Sequence, residues 1–410
     1  MLQYKDFKFI EGGVCAATGF TASGINAHIK PNSAKNDMAL IYCDTVCTAA
    51  ALYTQNKVQG APITVTRQHL SNHTAQAVIV NSGNANTCNP NGIEIAEQAC
   101  ALTAKALNIP TENVIVASTG VIGQKLSIEP FEKNIPILAK NLSQTGNNDA
   151  NIAIMTTDTR QKQFAVEFQM DGKTCRLGGM SKGSGMINPN MATMLAFITT
   201  DVKISAPMLD KALREINAVT YNMVSVDGDT STNDMVTLLS SGHADNPEIT
   251  AETASYNIFK DALYAVMMNL ARETARDGEG ATKLIECRVN NASDEPTAKR
   301  IAKSVINSPL VKAAMFAADA NCGRIFCAVG YAEGDFDISK MEVTLQSEKG
   351  TIKVYANGAV TDVDDDKAHD ILTADEITVL VDMHDGSANA TAWGCDLTYD
   401  YVKINAEYRS

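Results

Sequence analysis

Residues Gly178 to Asp201 have the sequence GGMSKGSGMINPNMATMLAFITTD. Four glycines and Pro189 stand among the first twelve residues, and an apolar run follows from Met194 to Thr199. Glycines in this number indicate positive φ angles or a close approach of the backbone to other groups. The segment therefore predicts a tightly shaped turn that leads directly into a buried strand.

The sequence before this turn predicts strands and helices that are mixed along the chain. Two β-type segments flank Asp171-Gly172, a pair that strongly favours a tight hairpin and so an antiparallel pair of strands. Short apolar runs that end in small-residue turns predict buried strands further upstream, and apolar residues at helical spacing predict helices. The predicted strands are Met38–Cys43, Ala77–Gly83 and Asn113–Thr119, and the predicted helices are Gly92–Asn108 and Ile128–Leu142.

The second half of the chain has the same mixed character. Helices are predicted over about Ala206–Met223 and Ala251–Arg276, and strands over Leu284–Val289, Met341–Leu345, Ile352–Tyr355 and Ile377–Met383. Hairpins combined with long helices favour a layered α/β (α+β) architecture over a purely parallel doubly wound sheet. No repeat or Pro/Ser-rich linker marks a flexible boundary between domains.

Composition narrows the class of protein. The chain has 410 residues, of which 45% are hydrophobic and 20% charged, and these values exclude a disordered or fibrous chain. Its net charge of -13 argues against nucleic acid as a partner. No apolar stretch is long enough to span a membrane, and the first residues lack a secretory or transit pattern, so we expect a cytoplasmic protein. The ten cysteines are expected to be reduced and mostly buried.

A serine nucleophile is one chemistry that the glycine-rich segment allows. Gly179 to Gly183 match G-x-S-x-G, which would make Ser181 the nucleophile of a serine hydrolase. The remaining triad members would come from the histidines His243, His369 and His384. That motif needs a helix directly after the serine, however, and the glycines and proline that follow oppose one.

A threonine nucleophile at Thr193 is the second chemistry. A threonine hydroxyl needs an adjacent base, and its own α-amine can be that base once the residue becomes a chain terminus. An internal threonine reaches that state if its hydroxyl attacks the preceding carbonyl and the resulting ester hydrolyses. The small side chain of Ala192 leaves room for this attack, although Ala-Thr pairs are common in proteins.

The segment KGSGMINPNMATMLAFITTD, residues 182 to 201, resembles the self-cleavage segment of the ornithine acetyltransferase family, the glutamate N-acetyltransferases of arginine biosynthesis. The resemblance extends along nearly the whole chain. Further stretches that are similar to the family's signatures are NSGNANTCN (81–89), ASTGVIGQ (117–124), TTDT (156–159), DGEGATK (277–283) and NAEYRS (405–410).

The resemblance implies a self-cleaving enzyme. Cleavage between Ala192 and Thr193 would give an α chain of residues 1–192 and a β chain of residues 193–410, with Thr193 as the nucleophile. Thr119 and Gly120 match the family's oxyanion hole. The implied fold is DmpA/ArgJ-like, a layered sandwich that resembles the N-terminal-nucleophile hydrolases but differs from them in topology. The two chains would be intertwined in one globular unit and would assemble as an α2β2 heterotetramer.

The resemblance also implies the substrates. The enzyme would transfer an acetyl group from N2-acetyl-L-ornithine to L-glutamate by a ping-pong mechanism. Its partners would be small molecules, and it would need no cofactor and no metal. Use of acetyl-CoA as a further acetyl donor is left open. Lys182 suits a substrate α-carboxylate, and Glu279 suits the side-chain ammonium of ornithine. The family's substrate-binding positions are Thr157, Lys182, Thr193, Glu279, Asn405 and Ser410, where Ser410 replaces a common threonine.

Other interpretations are open at this point. An aminopeptidase or amidase with the same terminal threonine is the nearest alternative, and a noncatalytic acidic binding protein is another. The segment Thr361–Asp370 resembles a calcium loop, but Lys367 and Thr373 stand where such a loop needs Gly and Glu, so we predict a solvated acidic loop. The pairs Cys43/Cys47 and Cys322/Cys327 lack further metal ligands nearby in the sequence and are predicted to be structural.

Overall fold

The computed structural model describes residues 7–30, 33–188 and 194–407 of the chain. Contacts divide it into two compact units. The first comprises the described residues of 1–183, 190–221 and 230–270, and the second those of 184–189, 222–229 and 271–410. Neither unit is one continuous stretch of chain. The division into chains after Ala192 stays a prediction.

The first unit is built on one sheet with helices beside it. Its strands are β1 Lys8–Ile10, β2 Phe20–Ile25, β3 Met38–Tyr53, β4 Thr74–Asn81, β5 Val114–Ser118, β6 Lys162–Met170, β7 Lys173–Lys182, β8 Leu195–Thr200 and β9 Met235–Ser240. Its helices are α1 Ala61–His69, α2 Gly92–Leu107, α3 Glu129–Lys140, α4 Asn147–Ile154, α5 Ala206–Asn217 and α6 Ala254–Arg276, of which the residues up to Leu270 belong to this unit. The strand order is β1-β6-β7-β8-β9-β3-β4-β5, and β2 pairs with β3.

Both faces of this sheet are covered around β3, β4 and β5. Successive side chains of a strand point to opposite faces, and those of β3, β4 and β5 alternate between two apolar clusters. One cluster joins Leu40, Ile79 and Val116 to apolar side chains of α2 and α3. The other joins Ile41 and Val78 to side chains of α4. Strands β4 and β5 are therefore nearly continuous apolar runs because helices cover each face, which confirms the predicted layered α/β class.

The glycine-rich segment lies between two neighbouring strands of the sheet. The predicted hairpin is confirmed, since β6 and β7 pair antiparallel around Asp171-Gly172. Strand β7 then pairs antiparallel with β8, with Lys182 opposite Leu195, and β8 pairs parallel with β9. The stretch predicted to be cut thus connects two adjacent strands of one sheet.

The second unit has its own sheet, in the order β13-β12-β11-β14-β10-β15. Helix α7 packs on β10 and β15. No helix in the described part of the chain is long and apolar enough to cross a membrane. The strands are β10 Leu284–Ala292, β11 Glu342–Ser347, β12 Gly350–Ala356, β13 Ala359–Val360, β14 Glu376–Asp382 and β15 Ala388–Cys395, and the helices are α7 Glu295–Asn307, α8 Pro309–Phe316, α9 Cys322–Gly330, α10 Asp365–Leu372 and α11 Tyr399–Ala406.

Three predicted elements differ from the structure: the strand at Met38–Cys43, the helix at Ala206–Met223 and the acidic loop at Thr361–Asp370. Strand β3 continues to Tyr53, past a shift of register between Tyr42 and Cys47 that interrupts the apolar run. Helix α5 ends at Asn217 instead of reaching Met223. There the Thr220 hydroxyl donates to the Ile216 carbonyl oxygen at 2.6 Å, so a side chain satisfies a carbonyl of the last turn.

The prediction of an acidic loop over Thr361–Asp370 is wrong for its second half, because the residues from Asp365 onward form α10. The Asp364 carboxylate accepts a hydrogen bond from the Lys367 amide at 3.0 Å and caps the helix. Behind this cap, Ala368, Ile371 and Leu372 are buried at helical spacing. The run of acidic residues is therefore a helix start, where negative charge also suits the helix dipole.

All ten cysteines are free thiols in the structure. Seven are buried, as expected, while Cys322 is half-buried and Cys88 and Cys327 are exposed. Burial raises the pKa of Cys100, Cys175 and Cys287, so their thiols stay protonated. These three cysteines behave as small apolar residues of the core.

Replacing the cap of α10 tests the revised assignment. We expect Asp364→Ala to lower the free energy of unfolding by about 1 kcal/mol, because an amide of the first turn loses its acceptor. The exposed Asp362 lies two residues earlier, outside the helix, and Asp362→Ala is the matched control. Urea unfolding followed by circular dichroism measures both variants. Equal effects of the two substitutions would contradict the cap.

Candidate active site

Thr119 and Gly120 form a turn at the carboxyl end of β5, where the parallel strand β4 also ends. The Ser118 hydroxyl donates to Asn81 Oδ1 at 2.6 Å, and the Thr119 amide donates to the Asn81 carbonyl oxygen at 3.0 Å. Asn81 is the first residue of the NSGNANTCN stretch. That stretch therefore holds the Thr119-Gly120 turn in place.

Gly120 occupies a position that fits only glycine. Its φ of +126° lies in the region that L side chains rarely adopt, and a Cβ placed there would come within 2.6 Å of the Asn84 nitrogen. Both residues of the turn are half-buried, so solvent reaches them. Backbone strain and the lack of space together explain why the turn needs glycine.

Lys182, the last residue of β7, approaches this turn. Its side chain is buried, with 7% of the residue exposed, and Nζ donates to Thr119 Oγ1 at 3.3 Å. An ammonium can only donate, so the Thr119 oxygen accepts and the hydroxyl proton can be donated to a third group. A hydroxyl donor beside a fixed positive charge is suited to stabilise a developing oxyanion.

A buried carboxylate, Asp158, binds the end of β7 directly after Lys182. Asp158 Oδ1 accepts from Lys162 Nζ at 2.8 Å and from the Gly183 amide at 2.6 Å. Burial alone would raise the pKa of Asp158, but the charges of Lys162 and Lys182 and these hydrogen bonds outweigh it and hold the pKa well below its ordinary value. Asp158 therefore remains ionised in the interior of the protein.

Thr157 lies near Lys182 because the next residue in the chain, Asp158, is bonded to the end of β7. The Thr156 amide donates to Asp158 Oδ2 at 2.9 Å, which ties the turn of residues 156–158 to the end of β7. Thr157 is half-buried within this turn. The structure thus brings Thr119, Gly120, Lys182 and the Thr157 segment together within the first unit.

A second lysine adds positive charge near Lys182. Lys30 donates from Nζ to the Met155 carbonyl oxygen at 2.7 Å. Burial lowers the pKa of Lys30 to about 8, Asp37 opposes this shift, and repulsion from Lys182 adds to it. Two ammonium groups close to one another favour an anionic group between or beside them.

The predicted residues of the second unit form a separate cluster. Glu279 is buried, and its Oε2 accepts from Asn405 Nδ2 of α11 at 2.8 Å. The Glu279 amide donates to the Ser184 carbonyl oxygen at 2.9 Å. A Cβ at Gly185 would collide with the Glu279 carboxylate, so glycine gives that carboxylate its space. Glu279 and Asn405 are therefore paired, as two groups of one binding site would be.

Three of the predicted positions lie outside the described residues. These are Ala192 and Thr193, at the predicted cleavage site, and Ser410 at the end of the chain. Met194 is the first described residue after the predicted cleavage site, and its carbonyl oxygen accepts from the Met235 amide at 2.9 Å. The residue that follows the predicted nucleophile is therefore fixed beside the start of β9.

The serine-hydrolase alternative does not fit the structure. Ser181 lies inside β7 and is 0% exposed, and no helix follows it among residues 183–188. A nucleophile elbow requires an accessible serine on a sharp turn between a strand and a helix. The match to G-x-S-x-G is therefore a coincidence of sequence, and Gly179 allows the strand to pack closely against Ile198.

Two polar residues of the first unit were missed at the sequence level. Asn233 Nδ2 donates to the Ser118 carbonyl oxygen at 3.0 Å, next to the Thr119-Gly120 turn. Asp234 follows it and is buried. The available signal was the run of four polar residues from Ser231 directly before an apolar strand. No three His, Cys, Asp or Glu side chains gather as a metal site would need in the residues that can be described.

The fold and site together are typical of an enzyme that stabilises an oxyanion: a layered α/β protein with a hydroxyl and a buried ammonium at a glycine-only turn. The model of the ArgJ family matches residues 21–410. The chain belongs to the ArgJ family.

Curated relatives match over nearly the full length of the chain. The arginine biosynthesis bifunctional protein ArgJ of Caldanaerobacter subterraneus is 46% identical over 404 residues, which cover 98% of this chain and all of the relative. The protein of the same name from Symbiobacterium thermophilum is 47% identical over 405 residues, with the same coverage. The family assignment therefore applies to both units.

A solved structure agrees with the fold. The crystal structure of the arginine biosynthesis bifunctional protein ArgJ from Bacillus halodurans is 43% identical and has a TM-score of 0.50. The match covers 53% of this chain and 100% of that one.

Alanine substitutions at two glycines test the geometry of the turn. Gly120 and Gly123 both have positive φ, but a Cβ at Gly123 meets nothing within 4 Å. We expect Gly123→Ala to cost about 1 kcal/mol of unfolding free energy from backbone strain alone. Gly120→Ala should cost more, because its Cβ also collides with the backbone of residues 83 and 84. Urea unfolding compares them, and equal losses would contradict the close approach.

Proposed function

We propose that this chain is an acyltransferase of arginine biosynthesis that moves an acetyl group from N2-acetyl-L-ornithine to L-glutamate through an acetyl-Thr193 intermediate. The observation that carries the proposal is the match to the ArgJ family over residues 21–410, together with full-length relatives that are named for arginine biosynthesis. The Thr119, Gly120 and Lys182 cluster supplies groups that this chemistry needs.

Maturation comes first in this mechanism. The Thr193 hydroxyl attacks the Ala192 carbonyl, the C–N bond breaks to leave an ester, and water hydrolyses the ester. The products are the chains 1–192 and 193–410. The new α-amine of Thr193 has an ordinary pKa of roughly 7.7 to 8.0, so part of it is neutral near pH 7 and can act as a base.

In the first half-reaction, Thr193 Oγ attacks the acetyl carbonyl of acetylornithine while the α-amine takes the hydroxyl proton. The Thr119 hydroxyl and the Gly120 amide donate to the oxyanion. The C–N bond then breaks, and the α-amine returns the proton to the departing ornithine nitrogen. Acetyl-Thr193 remains, and each of these donors contributes roughly 10² to 10³ in rate.

In the second half-reaction, the α-amine of glutamate attacks acetyl-Thr193. The same oxyanion donors act again, and the Thr193 α-amine takes a proton from the attacking glutamate nitrogen. The C–O bond breaks, and the α-amine gives that proton to the Thr193 oxygen. Lys182 binds the substrate α-carboxylate, assisted by the charge of Lys30, and Thr157 lies beside it. Glu279 and Asn405 bind the side-chain ammonium of ornithine, with Ser410 as a further hydroxyl. The relatives are named bifunctional, and this proposal leaves open whether acetyl-CoA serves as a second acetyl donor.

The active assembly in this proposal is an α2β2 heterotetramer in the cytoplasm. No prosthetic group takes part in any step. Sedimentation of the purified enzyme measures the assembly. The expected mass is twice 43.8 kDa, where 43.8 kDa is the mass of one α chain and one β chain together.

Loss of the Thr193 hydroxyl tests self-cleavage. The 43.8 kDa chain should separate under denaturing conditions into pieces of roughly 20 and 23 kDa, the ratio that 192 and 218 residues give. Thr193→Val should stay at 43.8 kDa and transfer no acetyl group, because it keeps the shape but has no nucleophile. Thr64→Val, at an exposed position of α1, is the control and should be cut normally. Intact mass and N-terminal sequencing provide the measurement.

Acetylornithine supplied without glutamate separates the transferase from the related amidase. The transferase releases one ornithine per site in a burst and keeps its acetyl group until glutamate is added. Water that consumed acetyl-Thr193 as fast as glutamate would favour the amidase. An uncut chain that still transferred acetyl groups would refute the terminal amine as base.

Two lysines at opposite ends of β7 test substrate binding. We expect Lys182→Met to raise the KM for acetylornithine and glutamate by about tenfold or more, because a carboxylate loses its charged partner. Lys173→Met, at the start of the same strand and with 43% of its side chain exposed, should leave KM unchanged. Steady-state kinetics of the two variants make the comparison. A KM that Lys182→Met does not alter would contradict this role.

A further inference from the structure

Asn233 is a buried side chain of the first unit to which the mechanism above gives no part. It lies two residues before β9 and is 6% exposed. Its Nδ2 group donates to the Ala85 carbonyl oxygen at 2.5 Å and to the Ser118 carbonyl oxygen at 3.0 Å. Its Oδ1 accepts from the hydroxyls of Thr87 and Thr232, both at 2.6 Å. All four hydrogen-bonding positions of the side-chain amide are therefore filled.

This arrangement fixes which way the side-chain amide of Asn233 faces. Carbonyl oxygens can only accept, so the two that it contacts require its NH2 group and leave its oxygen for the two hydroxyls. Gly60 leaves room for the group, because a Cβ at that position would come within 2.5 Å of Asn233 Nδ2 and 2.7 Å of Thr87 Oγ1. A buried amide with four partners cannot turn without losing several hydrogen bonds at once.

The bond to Ser118 holds the peptide plane that leads into the predicted oxyanion turn. That plane contains the Ser118 carbonyl and the Thr119 amide, which point to opposite sides. Asn233 donates to the carbonyl oxygen, and the Thr119 amide donates to the Asn81 carbonyl oxygen at 3.0 Å. The plane is therefore held on both sides. Thr119 Cα is its last atom, so these two bonds fix the point from which the Thr119 side chain and the Gly120 amide project.

The second bond of this amide, to Ala85, joins the turn to the neighbouring segment of chain. The Ala85 amide donates to the Val121 carbonyl oxygen at 3.0 Å, and the Val121 amide donates to the Gly83 carbonyl oxygen at 3.3 Å. Gly120 approaches the same segment so closely that a Cβ there would come within 2.4 Å of the Gly83 carbonyl carbon. One side-chain amide thus spans the two segments that pack against each other at Gly120.

We propose that Asn233 is a positioning residue for the oxyanion donors, which holds the backbone of the Thr119-Gly120 turn in place before the charge develops. This inference rests on the proposed function and adds a residue to the same site. Donors that are already in place stabilise a transition state because nothing has to rearrange as the charge forms. The Lys182 ammonium, which binds substrate in the proposed function, projects from β7 instead. Loss of the Asn233 amide should therefore slow the reaction and leave substrate binding intact.

An isosteric substitution tests this role in the full-length enzyme. Asn233→Asp keeps the size of the side chain, but a carboxylate has no donor, so both carbonyl oxygens then face another oxygen. With acetylornithine alone, we expect the burst of ornithine to become about 10²-fold slower. The acetylornithine concentration that gives half the maximal burst rate should change by less than about threefold. The burst amplitude counts the competent sites, so the rate is compared per mature site.

Asn246→Asp is the matched control. Asn246 is 3% exposed, and its Nδ2 also donates to two carbonyl oxygens, those of Lys203 at 3.1 Å and Pro247 at 2.7 Å, which belong to no part of the proposed site. This variant should lose stability in urea to a similar extent as Asn233→Asp and keep the wild-type burst rate. Equal slowing by the two substitutions would show a merely structural effect and overturn the positioning role. An unchanged burst rate in Asn233→Asp would overturn it as well.

A milder pair of variants decides the question if Asn233→Asp does not fold. Thr87→Val removes one of the two hydroxyls that donate to Asn233 Oδ1, whereas Thr87→Ser keeps a hydroxyl there. The burst of Thr87→Val should be slower than that of Thr87→Ser by about threefold or more, and equal rates would overturn the role of Asn233. A wild-type enzyme that gives no burst would overturn the proposed function itself, so the two failures are distinguishable.

Discussion

The ionised carboxylate of Asp158 is the constraint on which the geometry of the first unit's site depends. It accepts hydrogen bonds from Lys162, from the Gly183 amide and from the Thr156 amide. An isolated buried charge would be expensive, but a close partner and two backbone donors satisfy this one. Removing one partner of such a buried pair typically costs about 3–5 kcal/mol, because the other charge is left alone. The end of β7 is therefore held rigidly, and Lys182 with it.

In the proposed mechanism, rigidity at this point serves catalysis. Electrostatic stabilisation of an oxyanion requires donors that are already in place before the charge develops. Lys182 fixes the Thr119 oxygen, Asn81 fixes the backbone of the turn, and the lack of space at Gly120 fixes the turn against residues 83 and 84. Each donor is thus held by a bond or a contact that does not involve substrate.

The sequence predicted the parts of the fold in which local pattern and final structure agree. Strands β4 and β5 were evident because helices cover both of their faces, which leaves uninterrupted apolar runs. Helix α10 was mistaken for a loop because its acidic first turn hid an apolar face of only three residues. Asp158 was missed as a site residue for a different reason. Its importance comes from a contact with the Gly183 amide, 25 positions further along the chain, and spacing along the chain carries no signal of such a contact.

The resemblance to a family supplied roles that the residues alone could not. From chemistry, Thr193 and Ser181 were both acceptable nucleophiles. Burial decides against Ser181, since a side chain inside a covered strand cannot reach a substrate. The pairing of Glu279 with Asn405, two residues that are 126 positions apart, supports the carried-over binding site in the second unit.

The antiparallel pairing of β7 with β8 has a consequence for the thermodynamics of a protein that is cut after Ala192, as we propose. The hydrogen-bonded register runs from Leu177 opposite Thr200 to Lys182 opposite Leu195, and the proposed cleavage site lies in the chain segment that connects these two strands. A chain that is severed there after folding becomes a complex of two polypeptides, joined through one sheet. Its folded state then obeys mass action, so dilution lowers its apparent stability. Refolding changes from a unimolecular to a bimolecular reaction, and the uncut precursor alone retains a concentration-independent route to the native structure.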